Sequence, residues 1–380
     1  MLKMLWLLTA LAKQYFLWKT SALPISVYSF DKPIKHSPDS KIDVHVLNDS
    51  VFVDVLVHGE LGLGRAYVEG KWTTNDLEGL MVLLAKNIDM FSKELLYSWN
   101  PFAFNLFKKN RSDDKKQIKH HYDVGNEFYS RFLDPVYMAY SVGIWRSAGD
   151  DLVSSAKNKI DAVIDKLDIR PEDNVLDVGS GWGMIANYVH NRTGCSLTGV
   201  SISDAQIAYA HENASKDIVF INRDYRDIVG KYDKIYSIEM LEHVGRQKYE
   251  DYFRAVHGAL KPGGKACVQI TISTAEGSEP YLQSQYILTD IFPGGHIPRI
   301  SWVMEALSKI RGLRITGIEF LDGHHFEKTF RHWNRGLSES SAVLDKKLLR
   351  MYEYYFSSCV GLYSANLLAS CMFTFERDVA

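Results

Sequence analysis

The stretch Val175–His190, VLDVGSGWGMIANYVH, limits what this chain can fold into more than any other. An apolar run ends in Asp177, glycines follow at alternate positions as Gly179, Gly181 and Gly183, and a helical pattern starts at once. So few side chains between a strand and a helix let the backbone approach a ligand closely, and glycine alone enters positive φ without penalty. Around this turn, from about Ser154, helical and strand-like segments alternate. SSAKNKIDAVIDKLDI, MIANYVHNRT, DAQIAYAHENA and YEDYFRAVHGAL read as helices. NVLDVGS, CSLTGVSIS, IVFINRDY, KYDKIYSIEML and GGKACVQITIS read as strands. The alternation predicts an α/β class: a doubly wound, mostly parallel sheet covered on both faces. In such a sheet, ligands sit at the carboxyl ends of the strands.

The preceding residues follow a different pattern. IDVHVLNDSVFVDVLVHG alternates and carries a turn signal, so residues 25 to 70 read as strands and turns. TTNDLEGLMVLLAKN reads as a helix capped by Asn75 or Thr74. The run KKNRSDDKKQIK, with six Lys/Arg between Lys108 and Lys119, reads as a basic connector. The expected organisation is a smaller amino-terminal α+β domain over residues 1–107, a linker over 108–120 and a catalytic domain over 121–380. The opening apolar run from Met4 to Ala12 is shorter than the roughly 20 residues of a membrane span. It reads as the first helix of a domain, with a helix lying on a membrane surface as the sharper alternative. A net charge of −2 gives no general attraction to nucleic acid. The four cysteines have no metal spacing and fit reduced thiols. His324 and His325 have no matching ligands at suitable spacing, so no metal site is expected.

A glycine-rich turn alone also suits a dinucleotide, or no ligand at all. Here the spacing is not G-x-G-x-x-G, and RDYRD follows the third strand, where Asp224 and Tyr225 can hold an adenine. The combination looks like a class I S-adenosylmethionine (SAM) methyltransferase fold. Flanking motifs narrow this further. HYDVGNEFYSRFLDPVYMAYSVGIW, VLDVGSGWG, SIEMLEHVG, IFPGGHIP and FEKTFRHWNRGL occur in this order, and GELGLGRAYVEGKWTTNDLEGLMVLL precedes them. Together they resemble the cyclopropane-fatty-acyl-phospholipid synthase family over nearly the whole chain, including the extra amino-terminal domain of its bacterial phospholipid-modifying members.

The resemblance implies transfer of the SAM methyl group to the double bond of an unsaturated acyl chain still held in a membrane phospholipid. It implies SAM contacts from Tyr140, Ser141, Asp177, Gly179, Gly181 and Gly183. Ser201 belongs to the same cofactor-binding set, Ser203 and Gln206 fall on the ribose side, and Asp224, Tyr225 and Arg226 on the adenine side. Glu242, Gln269 and Cys359 are the candidate catalytic residues, although a buried, inert thiol is the plainer reading of Cys359. The chemistry needs a dry site, negative charge or aromatic faces beside a carbocation, and a base aimed at the new methyl group. The family's base is a bicarbonate held by a cysteine, a glutamate, a histidine and a tyrosine. Here those positions are Val142, Glu242, Gln269 and Phe326, which leaves bicarbonate and ring closure open.

A cyclopropane is the expected product, and a methyl-branched or methylene fatty acid is the alternative on the same substrates. Small-molecule N-methylation is a further class, since plant alkaloid N-methyltransferases resemble the catalytic domain and are expected to lack the amino-terminal one. A non-catalytic SAM- or lipid-binding protein is the third. The expected setting is cytoplasmic and peripheral on the inner face of a membrane. The amino-terminal domain would either present the catalytic domain to the bilayer or join two copies as a homodimer.

Overall fold

The computed structural model describes residues 2–90, 125–274 and 284–379. The basic run 108–120 lies outside the described residues. In chain order the first elements are α1 (Leu2–Lys19), β1 (Ile25–Ser29), β2 (Lys32–Lys35), β3 (Ile42–Val46), α2 (Ser50–Val68), β4 (Trp72–Thr74) and α3 (Leu77–Lys86). Next come α4 (Asn126–Ser130), α5 (Leu152–Leu167), β5 (Asn174–Val178), α6 (Met184–Thr193), β6 (Ser196–Ser201), α7 (Asp204–Asn213), β7 (Val219–Asn222) and β8 (Tyr232–Ile238). The chain continues through α8 (Tyr249–Ala259), β9 (Leu260–Ser273), α9 (Ile300–Ser308), β10 (Leu313–Leu321), α10 (Gly323–Glu339), α11 (Lys346–Ser364) and β11 (Leu368–Arg377).

The described residues divide into two compact units. One draws on Met1–Leu106, Ala275–Ile291 and Trp333–Leu367, and the other on Phe107–Thr274, Phe292–His332 and Leu368–Ala380. The first unit holds a four-stranded sheet in the order β2-β1-β3-β4. β1 runs parallel to β3, and the other pairs are antiparallel.

Two local expectations fail in this unit. The stretch VFVDVLVHG is helical, inside α2, and not a strand. Its apolar alternation and β-branched residues favour a strand locally, but packing overrides propensity. Val51 and Phe52 are buried. Gly59 breaks the helix at φ +57, ψ −132. Beyond the break, Gly62 lies so near the Asp54 carbonyl that a Cβ would stand 2.0 Å from it. Only glycine tolerates both conditions. The second correction concerns the cap of α3. It is Asp76, whose Oδ1 accepts from Gly79 N at 2.8 Å. Asn75 is occupied elsewhere, accepting from Asp43 N at 2.8 Å and donating to Lys41 O at 2.9 Å.

The second unit carries the expected sheet, seven strands in the order β10-β11-β9-β8-β5-β6-β7. The five strands from β9 to β7 are parallel, and β11 runs antiparallel to both its neighbours. Strands covered on both faces carry continuous apolar runs. Leu176, Val178, Ile235, Val268 and Ile270 accordingly form one core with Tyr252, Phe253 and Val256 of α8 and Val303 of α9. Among the described residues no helix is long and apolar enough to cross a membrane.

Candidate active site

The carboxyl ends of β5, β6, β7 and β8 share one edge of the parallel sheet. There the glycine turn leaves β5, anchored by Gly179 N and Ser180 N, which both donate to Val200 O at 2.9 Å. The three glycines all have positive φ, but their surroundings differ. A Cβ on Gly183 would stand 2.6 Å from Ala210 Cβ and 2.8 Å from the Phe220 ring, so this glycine lets α6 pack on its neighbours. A Cβ on Gly179 would press on the Met240 side chain at 2.9 Å. At Gly181 the nearest atom is Gln206 Nε2, 4.0 Å away, and the space is otherwise open. The room a ligand needs is therefore over Gly181.

Polar groups converge on the same turn. Ser203 caps α7, and Ser201 Oγ donates to Gln206 Oε1 at 2.9 Å, which fixes the Gln206 amide beside Gly181. Ser180 Oγ is buried without a hydrogen-bond partner. Asp177 is 3% exposed, next to Tyr236 on β8, and burial lifts its carboxyl to about 7. At the end of β7, Asp224 caps a short turn and accepts from Arg226 N, Nε and Nη2 at 2.9, 2.8 and 2.6 Å. Tyr225 turns into the core, where its ring meets Tyr252 edge-on. This set fits SAM, with an open backbone cradle, a held amide beside it and an orphaned buried hydroxyl.

From the turn, a series of rings leads to a pair of acids. Trp182, held by Asn126 Oδ1 at 2.8 Å, meets Tyr129 at 5.0 Å between ring centroids. Tyr129 meets Tyr140 at 5.2 Å, Tyr140 meets Phe292 at 6.3 Å, and Phe292 meets His243 at 5.1 Å. His243 follows Glu242. One oxygen of Glu242 accepts from Thr271 N, while Oε2 is buried with no partner. Glu239, one turn earlier, has φ +50, uncommon for a residue with a side chain. Its Oε1 accepts from Val142 N at 3.1 Å and Gln269 Nε2 at 2.9 Å. Gln269 is fully buried, and its own Oε1 has no partner.

A buried lysine completes the group. Lys159 lies on the apolar face of α5, fully buried, and donates to Ser141 O at 3.1 Å and Ser141 Oγ at 2.5 Å. Burial lowers its ammonium to about 8, against the charges of Glu239 and Asp134, which hold it up. Burial, and after it the charge of Glu239, lifts Glu242 to about 8. Burial also raises Glu239, opposed by Lys159 and its two N–H donors. Two neighbouring acids titrate as a pair, and the better-served one keeps the charge. Lys159 and the two N–H donors favour charge on Glu239, while burial and the charge of Glu239 favour the protonated form of Glu242.

The fold thus gathers Tyr140, Ser141, the glycines, Ser201, Ser203, Gln206, Glu242 and Gln269 within the second unit. Cys359 belongs to the first unit, where its thiol is buried in α11. Among the described residues no group of three or more His, Cys, Asp or Glu could hold a metal ion. His325 instead accepts from Trp145 N through Nδ1 at 3.1 Å. Sequence reasoning missed Glu239 and Lys159. Their signals were two acids three apart in SIEMLEH and a lysine on the buried face of an amphipathic helix.

A family profile described as mycolic acid cyclopropane synthetase matches residues 109–373. The chain belongs to this family. It is a SAM-dependent methyltransferase. It is 32% identical over 349 residues to the cyclopropane-fatty-acyl-phospholipid synthase of Escherichia coli K12, covering 89% of this chain and 88% of the relative. It is 27% identical to a tuberculostearic acid methyltransferase of Mycobacterium tuberculosis, covering 84% and 80%. Among solved structures, coclaurine N-methyltransferase bound to N-methylheliamine and SAH superposes with a TM-score of 0.65 at 16% identity, which speaks for the fold alone. That superposition covers 84% of this chain and 98% of the other.

Within this family member, the residues at the expected bicarbonate position do not fit that anion. Val142 and Phe326 have no polar side-chain atom to offer. The Gln269 amide donates to Glu239, and its remaining oxygen is an acceptor. Glu239 already takes the Val142 N–H and one N–H of the Gln269 amide, so a bicarbonate would find those donors occupied and an acid beside it.

Proposed function

We propose that this methyltransferase acts on the double bond of unsaturated fatty acyl chains in membrane phospholipids and forms a cyclopropane. The likeness to the E. coli synthase over 89% of the chain supports the substrate class. The observation that carries the chemistry is the acid pair Glu239 and Glu242, reached through the rings of Tyr140, Phe292 and His243. SAM, when bound, supplies an electrophilic methyl group. The chain's own residues do the rest. The glycine turn and the Gln206 amide position the donor. The Tyr140 and Phe292 rings keep water away and offer π-faces to a cation. Glu239, whose charged form Lys159 and two N–H donors favour, can add negative charge where the lipid becomes positive.

Access to the bilayer belongs to the same proposal. Leu7, Leu8, Leu11 and Trp18 of α1 are exposed, which supports a helix that rests on a lipid surface. Replacing Leu11 and Trp18 by glutamate should then weaken binding to phospholipid vesicles while leaving SAM binding unchanged. Equal vesicle binding by the variant would remove α1 from the proposal.

The test of the activity is incubation of the protein with SAM carrying a trideuterated methyl group and vesicles of monounsaturated phospholipid, followed by mass spectrometry of the released fatty acids. A cyclopropane keeps two deuterons, because one leaves as the ring closes. A methyl-branched alkene keeps three. That second reading is favoured by the likeness to the tuberculostearic acid methyltransferase, and three deuterons would establish it. A methylene branch also keeps two, and fragmentation separates it from the ring. No label in lipid, with transfer to soluble amines, would replace the proposal by N-methylation.

A further inference from the structure

We infer that Glu239 is the built-in base of this active site and that the enzyme works without bicarbonate. The inference rests on the lipid-methylating reading above. It comes from geometry rather than from the presence of an acid as such. Glu239 Oε1 is fixed by two donors from opposite parts of the unit, Val142 N at 3.1 Å and Gln269 Nε2 at 2.9 Å. Its backbone N also donates to Gln269 O at 2.9 Å, so the residue is pinned at both ends. The left-handed φ of +50 turns the chain at the end of β8 and persists because these contacts over-determine it.

Lys159 favours the charged form of this carboxylate, and the charge of Glu239 in turn raises the neighbouring Glu242. Two donors that would grip an external anion grip the side chain of Glu239 instead. A carboxylate and a bicarbonate present the same kind of oxygen, so the chain supplies from its own sequence what a bound anion would supply.

The step balances without any co-reactant. The alkene's π pair forms a bond to the donated methyl carbon as the carbon–sulfur bond breaks and its electrons remain on sulfur. The neighbouring lipid carbon is left positive. One C–H bond of the new methyl group then breaks, its pair closes the third side of the ring, and the proton passes to the Glu239 carboxylate. Solvent receives that proton after the product leaves.

The test compares methyl transfer into monounsaturated phospholipid vesicles in buffer purged of carbon dioxide and in buffer with added bicarbonate. The wild type should turn over equally in both, within a factor of two. Glu239→Gln keeps the shape and removes the base. It should lose ring formation by at least a hundredfold while SAM affinity, measured by titration, stays within a few-fold. Glu239→Gly opens the space, and added bicarbonate or formate should restore part of its activity. Wild-type activity that needs bicarbonate would overturn the inference. So would ring formation at the wild-type rate by Glu239→Gln, or a Glu239→Gly protein that binds SAM and gains nothing from either anion. The absence of any lipid product from the wild type is a different result, because it defeats the proposed function and not merely the assignment of the base.

Discussion

Replacing Gly183 or Gly181 by alanine separates packing from ligand binding within one turn. At position 183 the new Cβ meets Ala210 Cβ at 2.6 Å and the Phe220 ring at 2.8 Å, distances that force movement of well-packed groups. Overpacking of this kind costs about 1–3 kcal/mol. The left-handed backbone, at φ +78, costs an alanine about 1–2 kcal/mol more. The sum is roughly 2–5 kcal/mol. At position 181, φ is +52 and the nearest atom is 4.0 Å away, so only the backbone cost of about 1–2 kcal/mol applies. For a unit of this size each kcal/mol lowers the melting temperature by about 2–4 °C. Thermal unfolding should therefore show a fall of about 4–20 °C for Gly183→Ala and about 2–8 °C for Gly181→Ala. SAM titration should show the reverse order. A methyl group in the open space over Gly181 should weaken binding at least about tenfold, or 1.4 kcal/mol. Gly183→Ala, where it remains folded, should bind nearly as the wild type does. Unaltered SAM affinity in Gly181→Ala would refute the placement of the ligand over that residue. Equal melting temperatures for the two variants would refute the packing argument.

Other positions make simpler tests. Lys159→Met should destabilise the protein by about 3–5 kcal/mol in urea unfolding, because it leaves the charges of Glu239 and Asp134 buried without their cation. Ser203→Ala removes the cap of α7 and should cost about 1 kcal/mol in the same assay, with weaker SAM binding as the Gln206 amide loosens. Glu242→Gln tests the protonation state. The Glu242 carboxyl is raised to about 8 in the folded chain, so between its unfolded value and 8 the folded state binds the extra proton and wild-type stability falls as pH rises. The amide cannot ionise, so the variant should gain on the wild type by a few kcal/mol, as an order of magnitude, between about pH 4.5 and pH 8. A stability difference that does not change with pH would mean that Glu242 carries its charge in the fold.

Much of the second unit was legible because local pattern and global fold agree there. The run from Val175 to His190 says strand, turn and helix in its own residues, and the parallel sheet follows from the alternation around it. The first unit was harder to read for a physical reason. In α2, valines at alternate positions favour a strand locally, and a helix wins through burial of Val51 and Phe52 and through glycines that permit close approach. No periodicity rule registers that outcome, since the deciding contacts come from elsewhere in the chain.

The candidate site shows the same limit in sharper form. Glu242 stands out in the sequence because its motif is local, whereas the setting of Glu239 depends on Val142, 97 residues away, and on Gln269, 30 residues away. Read singly, each of those three residues is a loss or an oddity: a missing thiol, an amide in place of an imidazole, and an acid with a left-handed backbone. Brought together they complement one another. Val142 needs only its backbone N–H to hold an acid, and an amide at 269 can donate to a carboxylate without adding a second charge that would compete with Lys159. Once Glu239 occupies this position, a neutral Gln269 and an apolar Val142 are the partners a buried carboxylate tolerates. The replacements at 142 and 269 therefore follow from one change, the placement of an acid inside the site.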